Sequence, residues 1–270
     1  MEKIDRLGWV VGFSIDGFGA RIGFRTNSPE ALDEIRARLP FGVKEAPFEK
    51  VDSLYSLLVG GAGRGGAKRF SLLYNGLQPV ARSLDVDQVL DALAPNLRVT
   101  VAEHARRVVF VHAGVVAWGN HAILIPGRTF TGKTTLVKAF VEAGATYYSD
   151  EYALLTPAGR VLPFAQPLSI RGASGSGVTH VPVESLGGVA GTRGIPVATV
   201  LVTHYREGAR FSPRSISPGQ ALLALFENTV PARRRPQAVL STLRNVMATA
   251  MALKGVRGEA KDVVVDRRMS

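Results

Sequence analysis

The chain contains no cysteine among its 270 residues. Disulfides, thiol nucleophiles and thiolate metal sites are therefore excluded, which accords with a reducing compartment. Long apolar runs are missing too: no stretch approaches the roughly 18 apolar residues that a membrane-spanning helix requires. The opening residues, Met-Glu-Lys-Ile-Asp, hold no apolar signal core. These absences lead us to expect a soluble cytoplasmic protein. Acidic residues are scarce beside basic ones, 22 against 33, for a net charge of +11. The surplus gathers late: residues 1–100 carry 13 Lys and Arg against 12 Asp and Glu, residues 101–200 carry 8 against 5, and residues 201–270 carry 12 against 5. Such a surplus invites an acidic partner. The run Arg233-Arg234-Arg235, however, lacks the interleaved aromatics of nucleic-acid platforms. It reads as a solvated face, and nucleic acid is not an expected partner.

Several motifs are absent as well. No His-Glu-x-x-His pair and no Gly-x-Ser-x-Gly elbow occurs, and His104, His121, His180 and His204 lack companions at metal-ligand spacing. Without Asn-Lys-x-Asp there is no guanine reader, and without Leu-Ser-Gly-Gly-Gln no transporter-ATPase signature.

What is present is a phosphate-binding loop. Gly127-Arg128-Thr129-Phe130-Thr131-Gly132-Lys133-Thr134 fits G-x-x-x-x-G-K-[ST], with Thr135 continuing the nucleotide-binding stretch. Glycines let successive backbone N–H groups turn inward around phosphate oxygens. Lys133 is then placed for the outer phosphates and the Thr134 hydroxyl for Mg²⁺. The flanks supply the context: Ala122–Ile125 suits a buried strand, Thr134–Ala143 an amphipathic helix, and Gly144 its C-cap.

A chain of this length holds one large domain or two small ones, with a core that needs no metal staple. Residues 1–107 read as an α+β region. It has strands at 9–13 and 20–24 about a turn at Ile15-Asp16-Gly17, and a helix from the Ser28 N-cap and Pro29 to about Leu39. The glycine-rich stretch 60–66 lies between strands at 53–59 and 68–74, and helices over 85–94 and 96–107 are broken at Pro95. Residues 108–270 read as a second, α/β domain. A strand at 108–116 turns at Gly119-Asn120 into the strand that feeds the phosphate loop. Further on come a strand at 145–149, another at 197–202, a helix from Ser217-Pro218 to about Asn228, and an amphipathic helix over 236–253. The stripe of that last helix (Val239, Leu240, Leu243, Val246, Met247, Ala250) reads as core.

Asp150 follows Lys133 after an interval that one helix and one strand fill. That puts it on the sheet edge where the phosphate loop sits, placed to hold Mg²⁺ or to accept a hydroxyl proton. Glu151 is its neighbour and a second candidate metal ligand. His112, on the apolar run Val-Val-Phe-Val-His-Ala-Gly, is by pattern alone a buried core histidine.

These residues carry a resemblance. From Val111 to Glu151 the chain resembles the catalytic core of the HPr kinase/phosphorylase family. The shared pattern is a His on the strand before the loop (His112), a hairpin into the loop (119–120), the loop itself (127–134), a glycine closing its helix (Gly144) and an acidic pair after a short strand (Asp150-Glu151). Leu168-Ser169-Ile170-Arg171-Gly172 resembles the family's Glu-x-Arg-Gly signature. The match spans about residues 108–175. It departs from the family pattern in having Glu151 for Asp, Ser169 for Glu, and an unfamiliar first hundred residues; it is nearer to shorter HPr-kinase-related proteins, some of which act in peptide maturation. The resemblance implies a P-loop kinase fold of the HPr kinase/PEP carboxykinase type and a serine-directed kinase using ATP and Mg²⁺. It gives Asp150, Lys133, His112 and Arg171 catalytic roles and sets Arg171 near the transferred group. The expected acceptor is a hydroxyl on a protein, peptide or small molecule, with a homo-oligomer as an admissible assembly. Two alternatives stand beside it. One is a nucleotide-binding accessory protein that transfers nothing, which Ser169 favours; the other is a carboxykinase-like enzyme, which shares the hairpin-plus-loop arrangement.

Overall fold

The computed structural model describes residues 3–61, 69–128, 131–171 and 177–265. It is a mixed α/β structure that divides into two compact units, Met1–Arg106 and Arg107–Ser270. Among the described residues no helix is long and apolar enough to cross a membrane.

The first unit is a six-stranded sheet in the order β3-β1-β2-β4-β5-β6, built from β1 (Val11–Gly17), β2 (Ala20–Thr26), β3 (Val43–Glu45), β4 (Ser53–Leu58), β5 (Ser71–Asn75) and β6 (Gln78–Ser83). The β1–β2 turn lies at Phe18-Gly19, not at the expected 15–17, which belong to β1. Both turn residues take positive φ, 54° and 88°, the backbone that matches strand twist in a tight hairpin, and Asp16 Oδ1 accepts from Gly19 N at 3.1 Å. Helix α1 (Glu30–Ala37) has Pro29 at its cap, and the Ser28 hydroxyl donates to Glu30 instead of capping. The break expected at Pro95 falls at Ala92: α2 (Val86–Asp91) ends there, and Pro95 sits in the first turn of α3 (Leu93–His104). That position costs no hydrogen bond, because first-turn N–H groups have no helical partner. A buried polar cluster ties α3 to the sheet. The Tyr55 hydroxyl lies 2.5 Å from Asn96 Oδ1 and 2.7 Å from Thr100 Oγ1, and burial pushes this phenol up to about 12.

The second unit is built on β7 (Val109–Trp118), β8 (His121–Pro126), β9 (Thr146–Ser149), β10 (Tyr152–Leu155) and β11 (Arg160–Leu162). It continues through the β12–β13 hairpin (Leu168–Arg171, Val178–Val181), β14 (Ile195–Tyr205), β15 (Arg214–Ser215) and β16 (Met251–Arg257). Its main sheet runs β11-β10-β7-β8-β14-β16-β15, with β9 also on β7; β11 pairs with β14 as well as β10, so the sheet curls back on itself. The β7–β8 hairpin turns at Gly119, φ 54°. Beyond it, β8, β14 and β16 are parallel, so their carboxyl ends share one edge.

Alternation along these strands builds two apolar layers. Val111, Ala113, Val115, Leu124, Val197 and Val200 meet α5 (Pro218–Glu227) and α6 (Pro236–Met247) on one face. Val116, Ile123, Ile125, Leu201 and Leu253 meet α4 (Lys133–Glu142) and α7 (Ala260–Val264) on the other. Of the stripe on the helix at 236, Val239, Leu243, Val246 and Met247 are buried, at about 1.5–3 kcal/mol each; Leu240 is exposed. The helix stops at Met247, six residues short of the expected end. Met251–Arg257 is β16 instead, because its residues are drawn into parallel pairing with β14. Gly144, at φ 100°, closes α4, and Ser217 caps α5 in a reciprocal pair with Gln220.

Candidate functional site

The site is assembled at the carboxyl edge of β8. As the chain leaves Pro126, Gly127 N donates to the His112 carbonyl on β7 at 3.1 Å, which fixes the start of the loop. A Cβ on Gly127 would stand 2.7 Å from Thr131 Oγ1, so a larger residue there would have to turn that hydroxyl away from the Arg128 carbonyl. Gly132 caps α4 with φ 77°, the left-handed backbone glycine adopts without strain. Thr129 and Phe130 lie outside the described residues. Arg128 is exposed, and its carbonyl accepts from Thr131 Oγ1 at 2.8 Å and from Lys133 Nζ at 2.7 Å. Lys133 is thus folded back onto its own loop. Thr135 is exposed on the first turn of α4.

Asp150 is only 7% exposed and meets three donors. Oδ2 accepts from Thr134 Oγ1 at 2.9 Å and from the Ser169 backbone N at 3.3 Å. Oδ1 accepts from the Tyr147 hydroxyl at 2.9 Å, a phenol that also lies 2.8 Å from the Gln166 carbonyl. Burial, and then the Asp150 charge, push the Tyr147 phenol far up, so it stays a donor. β7 runs antiparallel to both β8 and β9, so β8 and β9 point the same way and Asp150 emerges beside the loop.

The remaining candidates are less evenly placed. Glu151 donates its N–H to Ser149 Oγ and accepts from Ala113 N, which locks its backbone to β7. Burial holds the Lys133 ammonium below the usual lysine range, against the opposing pull of Asp150 and Glu151. His112 is half-buried, its ring 4.5 Å from that of Tyr152. Burial and then the Lys133 charge hold it below the ordinary histidine range, which makes it a neutral group beside the loop at pH 7. Of Arg171 the backbone alone is described, at the end of β12; Gly172 lies outside the described residues. Ser169 is exposed, its hydroxyl 3.5 Å from His180 Nδ1 across the β12–β13 hairpin, and it brings Asp150 its backbone N–H.

Two site residues escaped the sequence. Tyr147 was visible only as a strand residue, although its position three before Asp150 was the signal. Arg257 ends β16, 2% exposed, with Nη2 donating to the Gly132 carbonyl at 2.9 Å. The helix expected over 236–253 hid that strand, and nothing local sets Arg257 apart from the other basic residues.

Among the described residues no cluster of three or more His, Asp or Glu side chains is built for a metal. Thr134 and Asp150 nonetheless bring two hard oxygen donors together. That suits Mg²⁺, which takes one or two protein oxygens and fills the rest of its octahedron with phosphate and water. No protein-family model and no curated protein matches the chain.

Proposed function

We propose that the second unit is a P-loop kinase domain of the HPr kinase-related type, which transfers phosphate from ATP to a hydroxyl, serine first among the candidates. The observation that carries this reading is the 2.9 Å hydrogen bond from Thr134 of the loop to the buried Asp150. A phosphate cradle, a metal-holding hydroxyl and an acid meet at one point, the minimum that in-line phosphoryl transfer asks of a protein. Bound Mg²⁺ would supply charge neutralisation on the phosphates, with Thr134 and Asp150 as its holders and Glu151 as the nearest further carboxylate. Loop N–H groups and Lys133 would bind and orient the phosphates. Asp150 keeps room for the acceptor proton, because its two oxygens offer about four lone-pair sites and its three donors fill three of them; the Thr134 oxygen would hold the metal through a lone pair while its O–H still points at Asp150.

Labelled ATP with Mg²⁺, offered with serine-containing peptides and proteins, tests the reading. Wild type should label a serine. Lys133→Ala should label nothing, and Asp150→Asn should bind nucleotide while losing transfer by roughly 10²–10⁴-fold. Normal transfer by Lys133→Ala would sink the proposal.

The accessory-protein reading keeps one observation on its side: Ser169 gives Asp150 a backbone N–H and no second carboxylate. Nucleotide binding without transfer to any acceptor would favour it.

A further inference from the structure

Arg257 is the most unusual charge in the second unit. It is buried to 2% exposure at the carboxyl end of β16, on the edge that carries the phosphate loop. Nη2 donates to the Gly132 carbonyl at 2.9 Å, Nη1 donates to the Gly258 carbonyl at 3.2 Å, and the guanidinium carbon lies 5.4 Å from the centre of the Tyr205 ring. Nε has no hydrogen-bond partner, and among the described residues no carboxylate is ion-paired with it. Burial presses its pKa down, and the pull of Tyr205 and Glu259 is the smaller influence. A guanidinium stays charged even so.

A buried cation without a counter-ion is costly, and proteins keep one where an anion completes it or where it holds something in place. Arg257 meets the second condition in its contacts and leaves the first open to a ligand. It touches the carbonyl of the N-cap residue of α4, Gly132, which also accepts the first helical hydrogen bond from Leu136 N at 3.1 Å. That cap holds the left-handed turn at Gly132, φ 77°, by which the chain passes from the loop into α4. A Cβ at Gly132 would lie 2.5 Å from Arg257 Nη2, so guanidinium and glycine are fitted to one another. The positive end of α4 and the guanidinium, which no described carboxylate pairs, both lie at Gly132 and add to the positive field there.

We propose that Arg257 is a phosphate-affinity residue: it braces the Gly132 cap from behind the loop, and its charge, with which no described carboxylate is ion-paired, favours ligands with two or more linked phosphates over a single phosphate. It acts through Gly132 and through its field, as a positioning residue. The proposal rests on the phosphate-binding reading of residues 127–134, and the experiment separates the two.

Inorganic phosphate and pyrophosphate, titrated calorimetrically into the intact protein at low salt, are the probes. Arg257→Met should weaken pyrophosphate about tenfold or more and phosphate distinctly less, so the preference for pyrophosphate shrinks. Arg257→Lys, which keeps the charge and loses one of the two carbonyl contacts, should stay within about threefold of wild type for pyrophosphate. A merely structural arginine would change melting temperature and leave the pyrophosphate-to-phosphate ratio where it was, and that result overturns the proposal. So does a lysine variant as weak as the methionine variant. Lys133→Ala is the control: if it binds pyrophosphate like wild type, the loop reading itself fails, whatever Arg257 does. Should the methionine variant not fold, nitrogen-15 arginine spectra of the wild-type protein decide. The Arg257 Nε resonance should move on saturation with pyrophosphate, and a resonance that stays fixed overturns the proposal.

Discussion

Gly114 on β7 joins the fold to the candidate site through α4. A Cβ built there would lie 2.5 Å from Val137 Cγ2 on α4, where carbon atoms normally rest about 3.5–4.0 Å apart. Val137 is fully buried and, being β-branched within a helix, holds essentially one rotamer. It cannot swing aside, so Gly114→Ala has to push α4 away from the sheet by about 1 Å. Overpacking of this kind costs about 1–3 kcal/mol. The same shift moves Lys133 and Thr134, at the start of α4, away from Asp150, and about 1 Å of misplacement costs on the order of 10²-fold in a positioned reaction. Urea titration reads the first effect and labelled-phosphate transfer the second. The diagnostic is the double variant. Val137→Ala alone should destabilise by about 1–3 kcal/mol through its lost methyls. Combined with Gly114→Ala it removes the clash, so the pair should fall short of the sum of the singles by about 0.5–3 kcal/mol. Additive singles, or a Gly114→Ala protein with wild-type midpoint and transfer rate, would refute the argument that α4 sits on a glycine-sized gap.

Other outcomes follow from the same geometry. Tyr147→Phe removes one of the three donors to Asp150; it should cost about 1.5–3 kcal/mol in urea titration, the range for a hydrogen bond to a charged group, and an unchanged midpoint would mean the phenol does not hold the carboxylate. Thr134→Val should leave the fold intact and raise the Mg²⁺ concentration needed for transfer about tenfold or more; an unaltered Mg²⁺ dependence would remove the hydroxyl from the metal site. His112 is held below the ordinary histidine pKa, so the folded chain binds fewer protons than the unfolded one below about pH 6.5. Its contribution to stability is therefore full above that pH and is lost as pH falls, and His112→Gln should flatten the urea midpoint between about pH 7 and 5. Equal slopes would contradict it. For Lys133 the sign is the same: burial depresses its pKa, so its charge opposes folding of the unliganded protein at pH 7. Lys133→Met should melt a few degrees higher while losing pyrophosphate, and a lower melting temperature would show that its contacts outweigh its burial.

Local chemistry made part of this structure readable along the chain. The strand–loop–helix around residues 127–134, the glycine closing α4, the Ser217 cap and the β7–β8 hairpin each depend on residues close in sequence, and each was legible. The interval between Lys133 and Asp150 holds one helix and one strand, which was enough to expect the acid near the loop. Distance along the chain was the barrier elsewhere. β16 reads as the tail of an amphipathic helix until β14 is there to pair with it, and with β16 misread Arg257 was one basic residue among many. The break between α2 and α3 moved from Pro95 to Ala92 because a proline in the first helical turn loses no hydrogen bond. Sequence determined that a G-x-x-x-x-G-K-[ST] loop stands between a strand and a helix with an acid downstream. Tertiary packing decided that Asp150 is held by three donors from three segments, that α4 rests on Gly114, and that an arginine 125 residues beyond Gly132 donates to the carbonyl of that cap residue. Hydrogen bonds and buried charges are set by which atoms meet, and apart from Tyr147, three residues from Asp150, those partners come from 16 to 125 residues away, beyond any local pattern.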